Sequence, residues 1–243
     1  MIARLLLLTA TLLHLCVAQT FEVASIRAAQ FQSSDGEGSR RETIEVSANG
    51  LTMHNVTLLS CISWAYKVQD FQIAGGLGAE RFDIAAKAAA PANVPTLRAM
   101  LGALLAERFK LEFHRDTKEL SSQVLVVAKG GPKLRSSQED APGVLRPEKS
   151  AMVAQHATMA EFVGTLSGPL RTPVIDKTGL TGRYDFSVDL SSYFADAKPG
   201  QQPDMTAVIM SALREQLGLN LESRKELVEI LVIDHAERNP SAN

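Results

Sequence analysis

The residues best placed by type and spacing to do chemistry are two Arg-x-Asp pairs, Arg81/Asp83 and Arg183/Asp185, and the adjacent Asp176-Lys177. Two positions apart on an extended chain, an arginine and an aspartate point to one face of a strand. Such a pair could clamp an anion or a peptide end. It could equally tie its strand to a neighbouring turn, and its presence in both halves of the chain favours that scaffold role. The six residues Arg81, Asp83, Asp176, Lys177, Arg183 and Asp185 are the candidate binding set.

Catalytic constellations are hard to find. Lys177-Thr178-Gly179 matches the K-T-G element of serine β-lactamases, but no serine has a lysine three residues on. Asp176, Thr178 and Gly179 are instead expected to make a local turn. Gly-x-Ser-x-Gly is absent, and Gly75-Gly76-Leu77-Gly78 precedes a strand where a phosphate cradle needs a helix. His54, His114, His156 and His235 are never three or four residues apart, and there is no cysteine pair beside them, so no metal centre is expected. Nor is a cofactor. If the chain were a hydrolase, His114, Asp116, Asp176, Lys177 and Asp185 would be the suspects, converging from both halves.

Composition narrows the classes further. The 243 residues are 45% hydrophobic, 21% charged and 5% aromatic, with a net charge of −2. Nothing there suggests a nucleic-acid partner. Met1-Ile2-Ala3-Arg4, the run Leu5 to Leu15 and Val17-Ala18 have the layout of a secretory signal peptide, 1–18, with no stable membrane span left after cleavage. The alternative is a lipoprotein through Cys16. Either way the expected location is periplasmic or extracellular. Cleavage leaves Cys61 as the sole thiol, set among Leu58, Leu59, Ile62 and Trp64 as a buried small hydrophobe.

The elements around these residues read as one unit written twice. Phe21–Arg27 alternates as a strand. Thr43 to His54 is extended around Asn49-Gly50, expected as the turn. Asn55 or Thr57 caps a helix to about Val68. Phe71 to Ala88 and Pro173 to Leu190 each read as two strands joined by a glycine turn, and each ends in Arg-aromatic-Asp. Leu97 to Phe109 is an amphipathic helix, followed by strands around Leu111–Phe113 and Val124–Val127. In the second half His156-Ala157-Thr158-Met159 answers Asn55-Val56-Thr57-Leu58, Asp204 caps the next helix, and Leu219 and Glu229–Ile233 answer the last strands. Equivalent positions lie 101 residues apart at Thr57 and Thr158, and 108 at Leu111 and Leu219. The expectation is an α+β fold of two tandem pseudo-repeats, each β-α-β-β-α-β-β with two helices on small mixed sheets. The first repeat would span 19–135, a linker 136–150, the second repeat 151–238 and a tail 239–243.

FEVASIR, NVTLLSCISWAY, RFDIAAKA, LLAERFKLEFHRDTKE, LVVAKGGPKL and DKTGLTGRYDF together resemble the soil-associated Solibacter-type family of exported domains of unknown function. The resemblance covers about 21–237. It implies export from a soil bacterium and brings no activity. Fusions of such domains to BlaR-type membrane peptidases or thioredoxin-like modules imply sensing or partner binding at the envelope. More weakly, the element order is similar to the short N-terminal domain of secretins and TonB-dependent receptors, a protein-interaction module. The functional expectation is thus a non-catalytic exported domain that binds an envelope protein or peptide, with strand addition at a sheet edge as its mode. A hydrolase, or a protein binding a small ligand between the repeats, is the alternative.

Overall fold

The computed structural model describes residues 20–29, 41–138, 141–195 and 204–241. The expected signal peptide and Cys16 lie outside them. The described residues hold twelve strands and five α-helices, a mixed α and β fold. They fall into two compact units. One takes the described parts of Met1–Lys67, Leu77–Glu112 and His235–Asn243; the other takes Val68–Gly76 and Phe113–Asp234.

The first unit is built on a sheet of β1 (Val23–Ala28), β2 (Thr43–Ser47), β3 (Gly50–Thr57) and β5 (Arg81–Lys87), in the order β1-β5-β3-β2 and antiparallel throughout. Its alternation is regular: Phe82, Ile84 and Ala86 are buried, while the residues between them are not. Leu51 and Met53 of β3 add to the same apolar face. Two helices supply its other half. α1 (Leu58–Tyr66) starts where the Thr57 hydroxyl accepts the Ser60 N–H at 3.1 Å. α2 (Val94–Arg108) starts at Asn93, whose side chain accepts the Thr96 N–H at 3.0 Å, with Pro95 in the first turn. Leu58, Cys61 and Ile62 of α1 and Leu97, Leu101 and Leu105 of α2 are buried. Phe82 and Phe109 close the core edge-to-face at 5.1 Å. The turn between β2 and β3 falls at Ala48-Asn49, one residue earlier than expected, and Gly50 opens β3. Gly50 is there for space: a Cβ would stand 2.3 Å from the Ala86 carbonyl oxygen on β5.

The second unit contains two sheets. The first is β7 (Arg135–Ser136), β8 (Val144–Glu148), β9 (Ala151–Ala157) and β11 (Tyr184–Asp189), in the order β7-β11-β9-β8. This matches β1-β5-β3-β2 strand for strand. The stretch 136–150, expected as a linker, therefore contributes strand β8: its polar, proline-containing sequence suits an exposed edge. α3 (Met159–Leu170) and α5 (Met205–Ala212) pack here, with a short α4 (Ser191–Ala195) between them in sequence. Thr158 and Glu161 form a capping box on α3, and Asp204 caps α5 by accepting the Thr206 N–H at 2.9 Å. Met159, Phe162, Leu166, Ile209, Leu213 and Val188 share one core cluster.

The other sheet runs β10-β6-β12-β4, from β4 (Ile73–Ala74), β6 (Glu112–Val127), β10 (Val174–Asp176) and β12 (Leu219–His235). Two expectations change here. The paired strands expected at the end of each repeat are one long strand each, β6 and β12, of 16 and 17 residues. The segments read as hairpins are not hairpins either. β10 runs parallel to β6 while β11 joins the other sheet, and β4 runs parallel to β12 while β5 joins the first unit's sheet. Side-chain pairs between β6 and β12 include His114–Asp234, Lys225–Glu119 and Gln123–Ser223. Residue numbers fall along one strand as they rise along the other, so the two long strands are antiparallel.

Candidate functional site

Each Arg-x-Asp pair grips one residue of its own chain. Asn55 sits at a bulge in β3 with φ of 53°, a left-handed conformation that asparagine tolerates better than most residues. Its N–H donates to Asp83 Oδ1 at 2.9 Å, and its carbonyl accepts from Arg81 Nη1 at 2.7 Å. Arg81 also pairs with Glu42 at 2.8 Å. In the second unit His156 has φ of 51°. Its N–H donates to Asp185 Oδ1 at 2.8 Å, and its carbonyl accepts from Arg183 Nη1 at 2.8 Å. The His156 ring reaches Ser137 Oγ at 2.5 Å. Both halves thus use one device, in which a carboxylate and a guanidinium hold the two backbone groups of a bulged residue just before a helix. The charged groups meet their own backbone first.

Asp176 and Lys177 lie at the end of β10. Asp176 Oδ1 accepts from the Thr178 N–H at 2.9 Å and from its hydroxyl at 2.7 Å, and Thr178 Oγ1 accepts the Leu180 N–H at 3.1 Å. This is the local turn expected of Asp and Thr before a glycine. The Lys177 N–H donates to the Leu125 carbonyl at 2.9 Å, and its side chain is exposed. His114 Nδ1 faces both oxygens of Asp234 at 2.9 and 3.0 Å, with both side chains about half exposed. Among the described residues neither group bonds to a serine, threonine or cysteine. Asp116 accepts the Thr117 N–H at 2.7 Å. Cys61 is buried, and its thiol is pushed up to about 12 by loss of water and by the negative Glu42. It is therefore a packing residue in contact with Met53, and no thiolate is available at ordinary pH.

Two surfaces outside the candidate set remain. One is strand β2, all five of whose residues are exposed, at the open edge of its sheet. The other is a groove of about 560 Å³ lined by the loop after β6, the helical turn that precedes β12 and the start of β12, including Lys129, Gly130, Gly131, Lys133, Arg214 and Asn220. Lys129 and Arg214 are 85 residues apart in sequence, so no local motif joins them.

A model of one protein family, described as a protein of unknown function (DUF3738), matches residues 59–236, about three quarters of the chain. The chain belongs to the DUF3738 family. The DUF3738 match runs from the first turn of α1 through β12, including both Arg-x-Asp pairs and the groove, and begins after β3. No curated protein and no solved structure matches the chain.

Proposed function

We propose that this protein is an exported, non-catalytic binding module that takes up an extended segment of an envelope protein by strand addition at β2. One observation carries the reading. Ile44 pairs with Met53 and Val46 with Leu51 across the β2–β3 ladder, so each pair projects to one face of the sheet. Met53 and Leu51 are 0% and 1% exposed, while Ile44 and Val46 are 37% and 44% exposed. The apolar face of the core therefore runs on to the sheet edge, where it is left partly open among the described residues. An added strand would extend that face, and alternate β2 residues turn their backbone N–H and C=O toward it. The corresponding edge β8 carries Pro147 and the ion pair Arg146–Glu148, features that discourage pairing; β2 has no proline.

Export rests on the layout of residues 1–18, and partner binding is in keeping with the envelope role that the Solibacter-type and secretin-type resemblances imply. The hydrolase reading has less support, since His114, Asp116, Asp176 and Asp185 are each engaged by a different partner.

A panel of seven-residue peptides with alternating Val, Ile or Phe tests the reading, with amide hydrogen exchange of the whole protein as readout. Binding peptides are expected to slow exchange in Thr43–Ser47. Covering the open four-tenths of Ile44 and Val46 is worth about 2 kcal/mol, so I44S/V46S is expected to weaken binding about 30-fold. Failure of every peptide to protect β2, or unchanged binding by the double variant, would overturn the proposal. Mass measurement of the exported chain tests the rest: an N-terminus at Gln19 supports cleavage, and a diacylated Cys16 refutes it.

A further inference from the structure

We propose that the groove beneath the Lys129–Lys133 loop is a binding site for a small dianionic oxyanion of the phosphate-monoester class. Lys129, Lys133 and Arg214 bring three cations to one groove of a chain whose net charge is −2. The acidic residue on the lining, Glu222, is already paired with Arg224. A concentration of positive charge beside the end of strand β6, which lines the groove, focuses the field on an anion.

The cations also keep donors in hand. Lys129 is exposed and takes no partner among the described residues. Lys133 Nζ gives one N–H to the Glu215 carbonyl at 2.7 Å, leaving two. Arg214 Nη2 is steadied by Asn220 Oδ1 at 3.0 Å, leaving the rest of its fork open.

The frame that presents them is fixed. Ala128 N–H donates to the Gly218 carbonyl at 2.9 Å and Lys133 N–H to the Leu217 carbonyl at 2.7 Å, strapping both ends of the loop to one junction. That junction is a π-helical turn, Leu213–Leu217, closed by Gly218 at φ of 64°. This turn, which ends the helical segment after α5, carries Arg214. A Cβ on Gly218 would lie 2.1 Å from the Gly131 carbonyl oxygen, so the loop and the turn touch backbone to backbone. Lysine ammonium groups act as point charges that suit tetrahedral phosphate, and the arginine fork adds two parallel donors.

Titration of the full chain with inorganic phosphate and phenyl phosphate, followed by the amide resonances of Gly130, Gly131 and Gly218, tests this. Both probes are expected to shift those resonances, phenyl phosphate the more strongly, and raising NaCl from 20 to 300 mM is expected to weaken them. Lys129→Gln and Arg214→Gln should each cost about 5-fold in affinity, and K129E/R214E should abolish it. Lys129 and Arg214 are exposed, so these variants should retain the wild-type spectrum elsewhere. Equal binding of acetate and benzoate would overturn the phosphate class. Shifts confined to other residues, or K129E/R214E binding like wild type, would overturn the site.

Discussion

Replacing Asp185 by alanine asks whether the Arg-x-Asp pairs build the scaffold. The carboxylate accepts the N–H of His156 at 2.8 Å, and His156 stands at a left-handed φ that costs a non-glycine residue about 1–2 kcal/mol. Removing a charged acceptor from a partly buried peptide N–H costs about 1.5–3 kcal/mol. Asp185 is 37% exposed at the side chain, and water can reach the orphaned N–H, so the lower middle of that range, about 2 kcal/mol, is expected. For a chain of this length that is a fall in melting temperature of about 4–8 °C. Asp185→Asn keeps an oxygen in the same place without the charge and should lose about half as much. Asp83→Ala removes the same contact from Asn55 and should match Asp185→Ala within about 1 kcal/mol, since the two geometries agree to 0.1 Å. Urea unfolding gives the free energies, and hydrogen exchange at the His156 amide gives the local cause. A loss below about 0.5 kcal/mol, with the His156 amide still protected, would refute the scaffold argument.

Cys61 should resist a disulfide reagent in the native protein and react fully in urea. Its folded pKa stands near 12 against an ordinary 9.0, so the native state keeps the proton that the unfolded chain loses. Stability is then fully present below about pH 9 and declines toward pH 12, by about 2 kcal/mol at pH 10.5; C61A should show a shallower decline, and an identical one would exclude the thiol as its source. Gly218→Ala forces a side chain into a left-handed backbone against the Gly131 carbonyl, and should cost at least about 2 kcal/mol by urea unfolding, with the Gly131 amide resonance displaced.

Features set by a few neighbouring residues were legible in the sequence. Asp204 caps the helix it precedes as expected, and of the two candidates Asn55 and Thr57 it is Thr57 that caps α1, because a short polar side chain two or three residues from a free N–H needs no distant partner. The Asp176–Leu180 turn was legible for the same reason. The fused strands were not. From Glu112 to Ser121 nearly every side chain of β6 is exposed, so the apolar alternation that marks a strand is missing there and the element reads as two. The hairpin reading failed at the level of partners: glycines mark where the chain can turn, but β4 finds its neighbour in β12, 158 residues on, which no local pattern records. The anion groove was hidden likewise, its cations coming from two distant segments.

That long-range pairing bears on where the chain can be cut. The sequence suggests two repeats separable near 136–150. In the folded chain the short strand β10 of the second half is hydrogen-bonded along β6 of the first, and β4 of the first along β12 of the second. Each half therefore completes its long strand with a short strand borrowed from the other, and β6 and β12 adjoin each other as well. A fragment ending at residue 135 would carry β6 with neither flanking strand, exposing Val124 and Leu125, both 0% accessible in the whole protein. Exposing two such side chains alone forfeits about 3–6 kcal/mol, a large share of the stability of an ordinary domain. Fragment 20–135 keeps the first unit's sheet and both its helices, but its β6 segment Glu112–Val127 should exchange amide hydrogens freely, whereas 136–241 expressed with it should restore protection along β6. A fragment 20–135 whose β6 amides stay as protected as in the whole chain would show that the borrowed strands contribute little.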